Sequence, residues 1–515
     1  MRLRLIIVGL AICFSTFSIA QEVSTYTNPV IHTDYSDPDV VRVGDDYYMT
    51  ASSFNHIPGL PILHSTDLVN WKLIGYALHK LIPEDHYSKV QHGGGVWAPS
   101  IQYHQSTFYI FYPDPDFGIY QITAKQITGP WSAPILIEKG RGLIDPTVLW
   151  DDDGKCFLVH AYAGSRAGLK SILALKELNA TATKSIGETK IIYDGHGIDP
   201  TIEGPKLYKR NGWYYIFAPA GGVSTGWQTV LKAKNIGGPY ERKVVMAQGI
   251  SKTNGPHQGA WVNTVNGENW FLHFQDKELF GRVVHLQPMR WINDWPVIGV
   301  DEDGDGIGTP VTKYRLPIFK KNNPTNYKLA SPWQWQANAS PLWMYQQGKQ
   351  WRLYANTIPD NGVNYWHMPS LYMQKFPADS FSATTHFSLS PLKVGERAGM
   401  IIFGTDYAGI FLEQTKEGIM LKKMICMDAE KGNADKVTDI SKLAKNDIYI
   451  KTMVTKQGIC NFYYSINGID FVKIDGAFLA KPGKWVGAKI GLFCSRPSFN
   501  NDAGYMDIDY FNFNK

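Results

Sequence analysis

Five stretches in the first three hundred residues repeat one hydrophobic pattern: an apolar run, a polar or glycine-containing turn, then a second run rich in aromatics. They read DPDVVRVGDDYYMTAS (37–52), APSIQYHQSTFYIFYP (98–113), DPTVLWDDDGKCFLVHAY (145–162), EGPKLYKRNGWYYIFAP (203–219) and QGAWVNTVNGENWFLHFQ (258–275). Runs of this length and composition, broken by Gly, Asn and Asp, predict β-hairpins, and helical periodicity is nearly absent between them. The turns fall near Asp45, Ser106, Asp153, Asn211 and Gly267, at intervals of 61, 47, 58 and 56 residues. Each interval holds about four short strands with loops, which is one blade of a β-propeller. The pattern therefore predicts an all-β chain with a five-bladed propeller over 21–312. A polar, proline-containing stretch over 313–334 reads as a linker. Short alternating strands return over 335–515, with turn signals such as Asn467-Gly468 between them, and predict a β-sandwich.

The blade register brings out a set of polar residues. Asp37, Asp145 and Glu203 each lie eight residues before their turn residue, His257 lies ten before and Trp97 nine before. Equivalent positions on different blades are related by rotation about the propeller axis. If the first strand of each hairpin is innermost, three carboxylates, an imidazole and an indole converge on one end of the channel. A lone Asp-Pro at a strand start is usually a turn or cap. Three acids in one register are harder to read that way, because buried charges need compensation or a task. Two carboxylates, one protonated and one ionised, suit glycoside hydrolysis, and a third is a ready way to tune the acid. Asp and Glu with one His would also hold calcium. The surrounding aromatics favour a sugar.

Composition narrows the partners. With 44% hydrophobic and 13% aromatic residues, the 515-residue chain has enough apolar surface for large cores and is not of a disordered class. A thinly spread net charge of +5 and the lack of basic runs argue against nucleic acid and anionic membrane. Residues 1–20, MRLRLIIVGLAICFSTFSIA, read as a cleaved signal peptide and imply a secreted or periplasmic protein. Ile12 before Cys13 stands where a lipid anchor needs a small residue. Cys156, Cys426, Cys460 and Cys494 are too widely spaced for a metal knuckle or a disulfide framework. They are expected as buried thiols, with one bridge among the last three left open.

The motifs SDPD, GLIDPT and IEGPKLY, in this order and on five blades, resemble those of glycoside hydrolase family 43. The resemblance is to the branch of β-xylosidases and α-L-arabinofuranosidases. GDDYYMTASSFNHIPGLPILHSTDLVNW, GGGVWAPSI, NGPHQGAWV and GRVVHLQPMRW extend it along the chain. It implies Asp37 as the general base that activates water, Glu203 as the general acid, and Asp145 as the carboxylate that raises the acid's pKa and aims it. It further implies inversion at the anomeric carbon, with the acid and base about 6.5–9.5 Å apart. Arg282 matches an arginine that reaches the sugar and pairs with the acids, and His257 a histidine near an axial ion or water. Phe54 and Trp97 match aromatics walling the pocket, with plain core packing as their alternative. NFYYSINGIDFVKI and GYMDIDYFNF resemble the concanavalin-like jelly roll of this branch, which in relatives closes one side of the pocket.

Two motifs point elsewhere. GVSTG (222–226) fits a serine-nucleophile pattern but lacks the strand-turn-helix setting that chemistry needs. DEDGDGIG (301–308) opens like a calcium loop with Asp301, Asp303 and Asp305, yet Thr312 occupies the twelfth position where a bidentate Glu belongs. Calcium there is a structural candidate, set against a plain Gly/Asp-rich turn, and no cofactor is required for the chemistry. The resulting expectation is an exo-acting, inverting hydrolase that releases terminal pentose from hemicellulose oligosaccharides. It leans toward α-L-arabinofuranose, with β-xylosidase activity or a catalytically silent sugar-binding propeller as alternatives.

Overall fold

The structure is a computed structural model that describes residues 24–319, 325–360 and 362–514. The leader-like residues 1–20, with Cys13, lie outside the described residues. Five four-stranded antiparallel sheets follow in chain order, each built from consecutive strands. Their first strands are Asp39–Val43, Ser100–His104, Leu143–Trp150, Lys206–Arg210 and His257–Asn263. First strands of neighbouring blades pack side by side around the axis. The predicted hairpins all form. In the first blade, for example, Asp39–Val43 pairs with Asp46–Thr50 across the turn at Gly44 and Asp45.

Apolar side chains on the faces of each blade meet those of the next. One cluster joins blades 1 and 2 through Tyr48, Ile62, Ile101 and Phe108, and another joins blades 4 and 5 through Phe217, Val230, Phe271 and Ile298. Similar clusters fill the other three junctions, so the core is distributed radially. The ring is closed by the N-terminal segment. Thr25–Thr27 pairs with Lys313–Arg315, and the Asn28 amide bonds the Leu286 and Val311 carbonyls at 2.8 Å each and accepts the Leu286 N–H. The stretch 313–334 thus begins in a strand of the propeller and ends at Gln334–Trp335, a strand of the second domain.

That domain is a sandwich of two seven-stranded sheets enclosing a core that includes Phe387, Met400, Ile410, Phe462 and Leu492. Its edge strand Gln334–Trp335 is covered by the propeller. Ile57 of blade 1 exchanges two backbone hydrogen bonds with Trp335, and the Asn55 amide donates to the Gln336 carbonyl. A sheet edge that would otherwise offer unpaired backbone groups instead becomes a domain interface. Cys156, Cys426, Cys460 and Cys494 are buried free thiols, so the bridge left open by the sequence is not formed. Among the described residues no helix is long and apolar enough to cross a membrane.

The interface also sets two lysines directly opposite each other on adjacent sandwich strands, the half-buried Lys375 and the buried Lys489. Lys375 donates to the Asp34 carbonyl at 2.5 Å and lies over the Tyr35 ring. Lys489 is 2% exposed and its Nζ has no hydrogen-bond partner. Burial, with the charge of Lys375 added, holds its pKa well below the usual lysine range. A base depressed in the folded state destabilises the fold at any pH below its unfolded value, where the unfolded chain carries the charge. Lys489→Met should therefore raise stability at pH 7 by about 1 kcal/mol or more, with the gain shrinking as pH approaches ~10.4. Thermal unfolding of both proteins across pH checks this, and a less stable variant at pH 7 would contradict it.

Candidate active site

Two of the three axial acids sit in an unusual backbone. Asp37 and Asp145 both have φ of 56°, and each precedes a proline. Positive φ is uncommon for non-glycine residues, and a residue before proline is normally extended. Each such position costs of order 1–3 kcal/mol and persists only where its surroundings hold it. In the third blade the strain coincides with a bulge, since pairing to the next strand jumps from Ile144 to Thr147. A bulge re-aims side chains, here turning Asp145 toward the axis. In the fourth blade the unusual residue is one place later, at Gly204 (φ 59°), whose N–H donates to Asp145 Oδ2 at 2.7 Å. A Cβ at Gly204 would come within 2.8 Å of the Gln258 side chain. Only glycine lets these blades meet so closely.

Asp37, Asp145 and Glu203 line one cavity of about 120 Å³ together with Phe54, Trp97, Ala98, Ile144, Val223, Gln258, Arg282 and Trp485. This is well below the ~300–1,000 Å³ of a drug-sized site and suits a single small ring. Asp37 accepts from the Ser52 hydroxyl and, at 3.3 Å, from Arg282 Nη1. The Arg282 guanidinium is itself held over the Phe274 ring, 4.8 Å from its centroid. Glu203 keeps 26% of its side chain exposed to the cavity, whereas Asp37 and Asp145 are buried.

These surroundings set the charges. Burial raises the pKa of all three acids. For Asp37 the nearby Arg282 and the Ser52 hydrogen bond oppose that rise. For Glu203 the charges of Asp145 and Asp37 add to the rise, and Arg282 opposes it without cancelling it. Three ionised carboxylates beside one guanidinium would leave excess negative charge among largely buried groups. The proton settles on Glu203 and the negative charge on the Asp37 side, beside the cation.

His257 is fully buried, with Nε2 3.5 Å from Glu203 Oε1, and neither ring nitrogen has a hydrogen-bond partner. Burial pushes its pKa down to about 3, so the ring is neutral. A neutral imidazole offers one acceptor and one donor, which suits an axial water or cation, but a single ring supplies one ligand. The other metal candidate is remote in function: oxygens of Asp301, Asp303 and Asp305 lie within 4.8 Å of one another. They accept backbone N–H groups of their own loop, from Gly304 and Gly306 to Asp301 and from Ile307 to Asp305. With one oxygen from each, these residues would supply three of the 6–8 ligands that calcium takes, and loop carbonyls or waters would have to complete the shell.

Phe54 and Trp97 form one wall, edge to face with centroids 6.4 Å apart. No periodicity or register in the chain marks the residue that faces them. Trp485, on a sandwich loop with φ of 65°, packs on Trp97 at 6.0 Å and completes the pocket from the second domain. The GVSTG turn lies between strands Trp213–Ala220 and Trp227–Ala233 as a blade loop, and its Val223 lines the cavity.

Burying an acid that must hold a proton costs stability in a defined pH window. Glu203 titrates higher in the folded chain than the ~4.3 of an unfolded one. Its favourable contribution is complete below that value and is lost as pH rises through the folded pKa. Glu203→Gln should therefore unfold at a higher temperature than wild type at neutral pH, by about 1 kcal/mol or more, and show little difference near pH 4. Calorimetry at the two pH values checks this, and a variant destabilised at neutral pH would contradict it.

Residues 26–296 match the sequence profile described as "Glycosyl hydrolases family 43", and residues 325–514 match "Beta xylosidase C-terminal Concanavalin A-like domain". The chain is 37% identical to a "Putative beta-xylosidase" of Xylanibacter ruminicola, over 91% of this chain and 86% of that protein. It is 32% identical to a "Beta-xylosidase" of Formosa agariphila, over 95% and 90%. A "Non-reducing end alpha-L-arabinofuranosidase" of Bacteroides ovatus is also 32% identical, over 58% of each chain. Among solved structures, a xylan beta-1,4-xylosidase from Bacillus halodurans superposes with a TM-score of 0.82 at 25% identity, covering 95% of this chain and all of that one. Propeller, sandwich and acid-lined cavity thus agree with the family match, and the chain belongs to glycoside hydrolase family 43, as a glycoside hydrolase with a C-terminal concanavalin-like domain.

Proposed function

We propose that this enzyme is an exo-acting β-xylosidase that removes one terminal xylose at a time from xylo-oligosaccharides, with inversion. The observation that carries this reading is the cavity itself. It is small, walled by aromatics from both domains and floored by three acids, which suits one pentose ring bound at a chain end. The lean toward arabinofuranose in the sequence reading gives way here. The two relatives at 37% and 32% identity along nearly the whole chain are named as beta-xylosidases, two at 26% as xylosidase/arabinosidase, and the arabinofuranosidase relative is similar over 58%.

In the proposed step Asp37, kept ionised beside Arg282, takes a proton from a water that attacks the anomeric carbon. Glu203 gives its proton to the glycosidic oxygen as the bond from that carbon breaks. Charge on the ring is oxocarbenium-like in the transition state, and Asp37 and Asp145 face it as anions. Proton exchange with solvent then returns Asp37 to its ionised form and Glu203 to its acid form. Asp145 neither attacks nor donates; its charge, fixed by the Gly204 N–H, keeps Glu203 protonated and aimed. The step needs only carboxylates and water. The leader-like residues 1–20 place it outside the cytoplasm in this reading.

Purified protein should turn over nitrophenyl β-D-xyloside faster than nitrophenyl α-L-arabinofuranoside, and shorten xylotriose from its non-reducing end. A preference for the arabinofuranoside would reverse the assignment of the sugar, and turnover of neither would remove the activity. Proton NMR should show the α anomer of xylose first. Asp37→Ala should lose about 10²–10⁴-fold on both aryl and natural substrates, while Glu203→Gln should spare the aryl glycoside, whose leaving group needs little protonation. Equal losses on both would remove Glu203 as acid.

Asp145→Asn should act on pH dependence as well as rate. The basic limb of kcat/KM reports the acid's pKa, and removing a neighbouring negative charge lowers it. The limb should therefore move to lower pH. A limb that stays in place would reduce Asp145 to a turn residue.

A further inference from the structure

One buried carboxylate outside the axial set joins both domains at the pocket. Asp34 is 3% exposed and lies three residues before Asp37. Its Oδ1 accepts the backbone N–H of Arg282 at 2.9 Å and the Ser36 hydroxyl at 3.3 Å. Its Oδ2 accepts the N–H of Gly487 at 3.0 Å, across 453 residues of chain. Its main-chain carbonyl takes the Lys375 ammonium. The approach is tight enough to need glycine on two sides. A Cβ at Gly281 would lie 2.4 Å from the Asp34 carboxyl carbon, and one at Gly487 would lie 2.6 Å from the Gly281 nitrogen. The next residue, Ala488, donates to the Leu279 carbonyl at 2.7 Å, so the sandwich loop is seated on the same propeller turn.

What these contacts hold is functionally specific. Arg282 is the cation on Asp37, and Gly487 is two residues from Trp485, the indole that closes the pocket. We propose that Asp34 is a positioning residue that fastens the Trp485 loop of the sandwich to the Asp37–Arg282 side of the propeller, so that pocket wall and base are placed together. The inference rests on the active-site reading above. Asparagine keeps one acceptor at this position. Its oxygen should stay where two donors converge, at Arg282 and Ser36, which turns the amide N–H₂ toward the Gly487 N–H. Two donors then face each other and the loop loses its anchor.

The test uses the full-length enzyme and whichever nitrophenyl pentoside it turns over. Asp34→Asn should raise KM about tenfold with kcat changed far less, because a wall is lost and not the acid or base. Trp485→Ala should raise KM by a similar factor, and adding Asp34→Asn to it should cost little more. Gly487→Ala, which pushes the loop off without touching the carboxylate, should reproduce the KM effect if Asp34→Asn folds poorly. Hydrogen exchange supplies a readout independent of turnover: amides over 481–488 should exchange faster in Asp34→Asn. A loss confined to kcat, a full KM effect in the Trp485→Ala background, or unchanged exchange over 481–488 would each overturn the proposal. Wild-type protein inactive on both pentosides would fail the activity reading alone, leaving exchange to decide this one.

Discussion

Three carboxylates cannot share a cavity of about 120 Å³ beside one guanidinium unless at least one of them keeps its proton. Most features of the site follow from that electrostatic constraint. Strained backbone at Asp37 and Asp145 brings the acids together, at a cost the radial packing of the blades must offset. Arg282 and Ser52 keep the negative charge on the Asp37 side, and the Gly204 N–H fixes Asp145. The neutral His257 beside Glu203 adds no positive charge that would draw the proton away. A pair of groups whose surroundings push their protonation apart is what concerted acid and base catalysis requires.

The second domain belongs to the same arrangement. The propeller supplies the floor and one aromatic wall, but the facing wall is Trp485 of the sandwich. Backbone pairing between Ile57 and Trp335 and the contacts at Asp34 fasten the two domains close to the site. The interface even keeps Lys489 buried without a partner, an expense that a purely stabilising contact would not need. In the proposed reading this extra wall narrows the pocket to a chain end, so that closure by the sandwich and exo action have one origin.

Legibility in the sequence followed locality. The five hairpins were readable because alternating strands and Gly/Asn/Asp turns are local signals, and each formed where the pattern placed its turn. The acids were readable because a rotational repeat turns equal spacing into spatial convergence, and Asp37, Asp145, Glu203, Arg282, Phe54 and Trp97 do line one cavity. Trp485 was not readable. It lies on an irregular loop of the other domain, and neither periodicity nor register connects it to Trp97. Asp34 was hidden for a similar reason, since an acid near a strand start looks like a turn residue until its partner 453 positions away is known. Lys313–Arg315 is a strand of three residues, too short for a pattern, so it read as linker. Arabinose and xylose were not separated because the motifs describe the acids, which act on the bond, while the sugar is selected by the shape of the walls.

Catalysis as proposed depends on Glu203 still being protonated near neutral pH. Infrared difference spectra of wild type against Glu203→Gln, recorded across pH, would show the carboxylic acid C=O band of this residue directly. The band should persist to near-neutral pH and disappear earlier when Asp145 is replaced by Asn. A band already lost at the ~4.3 of an ordinary glutamate would contradict this.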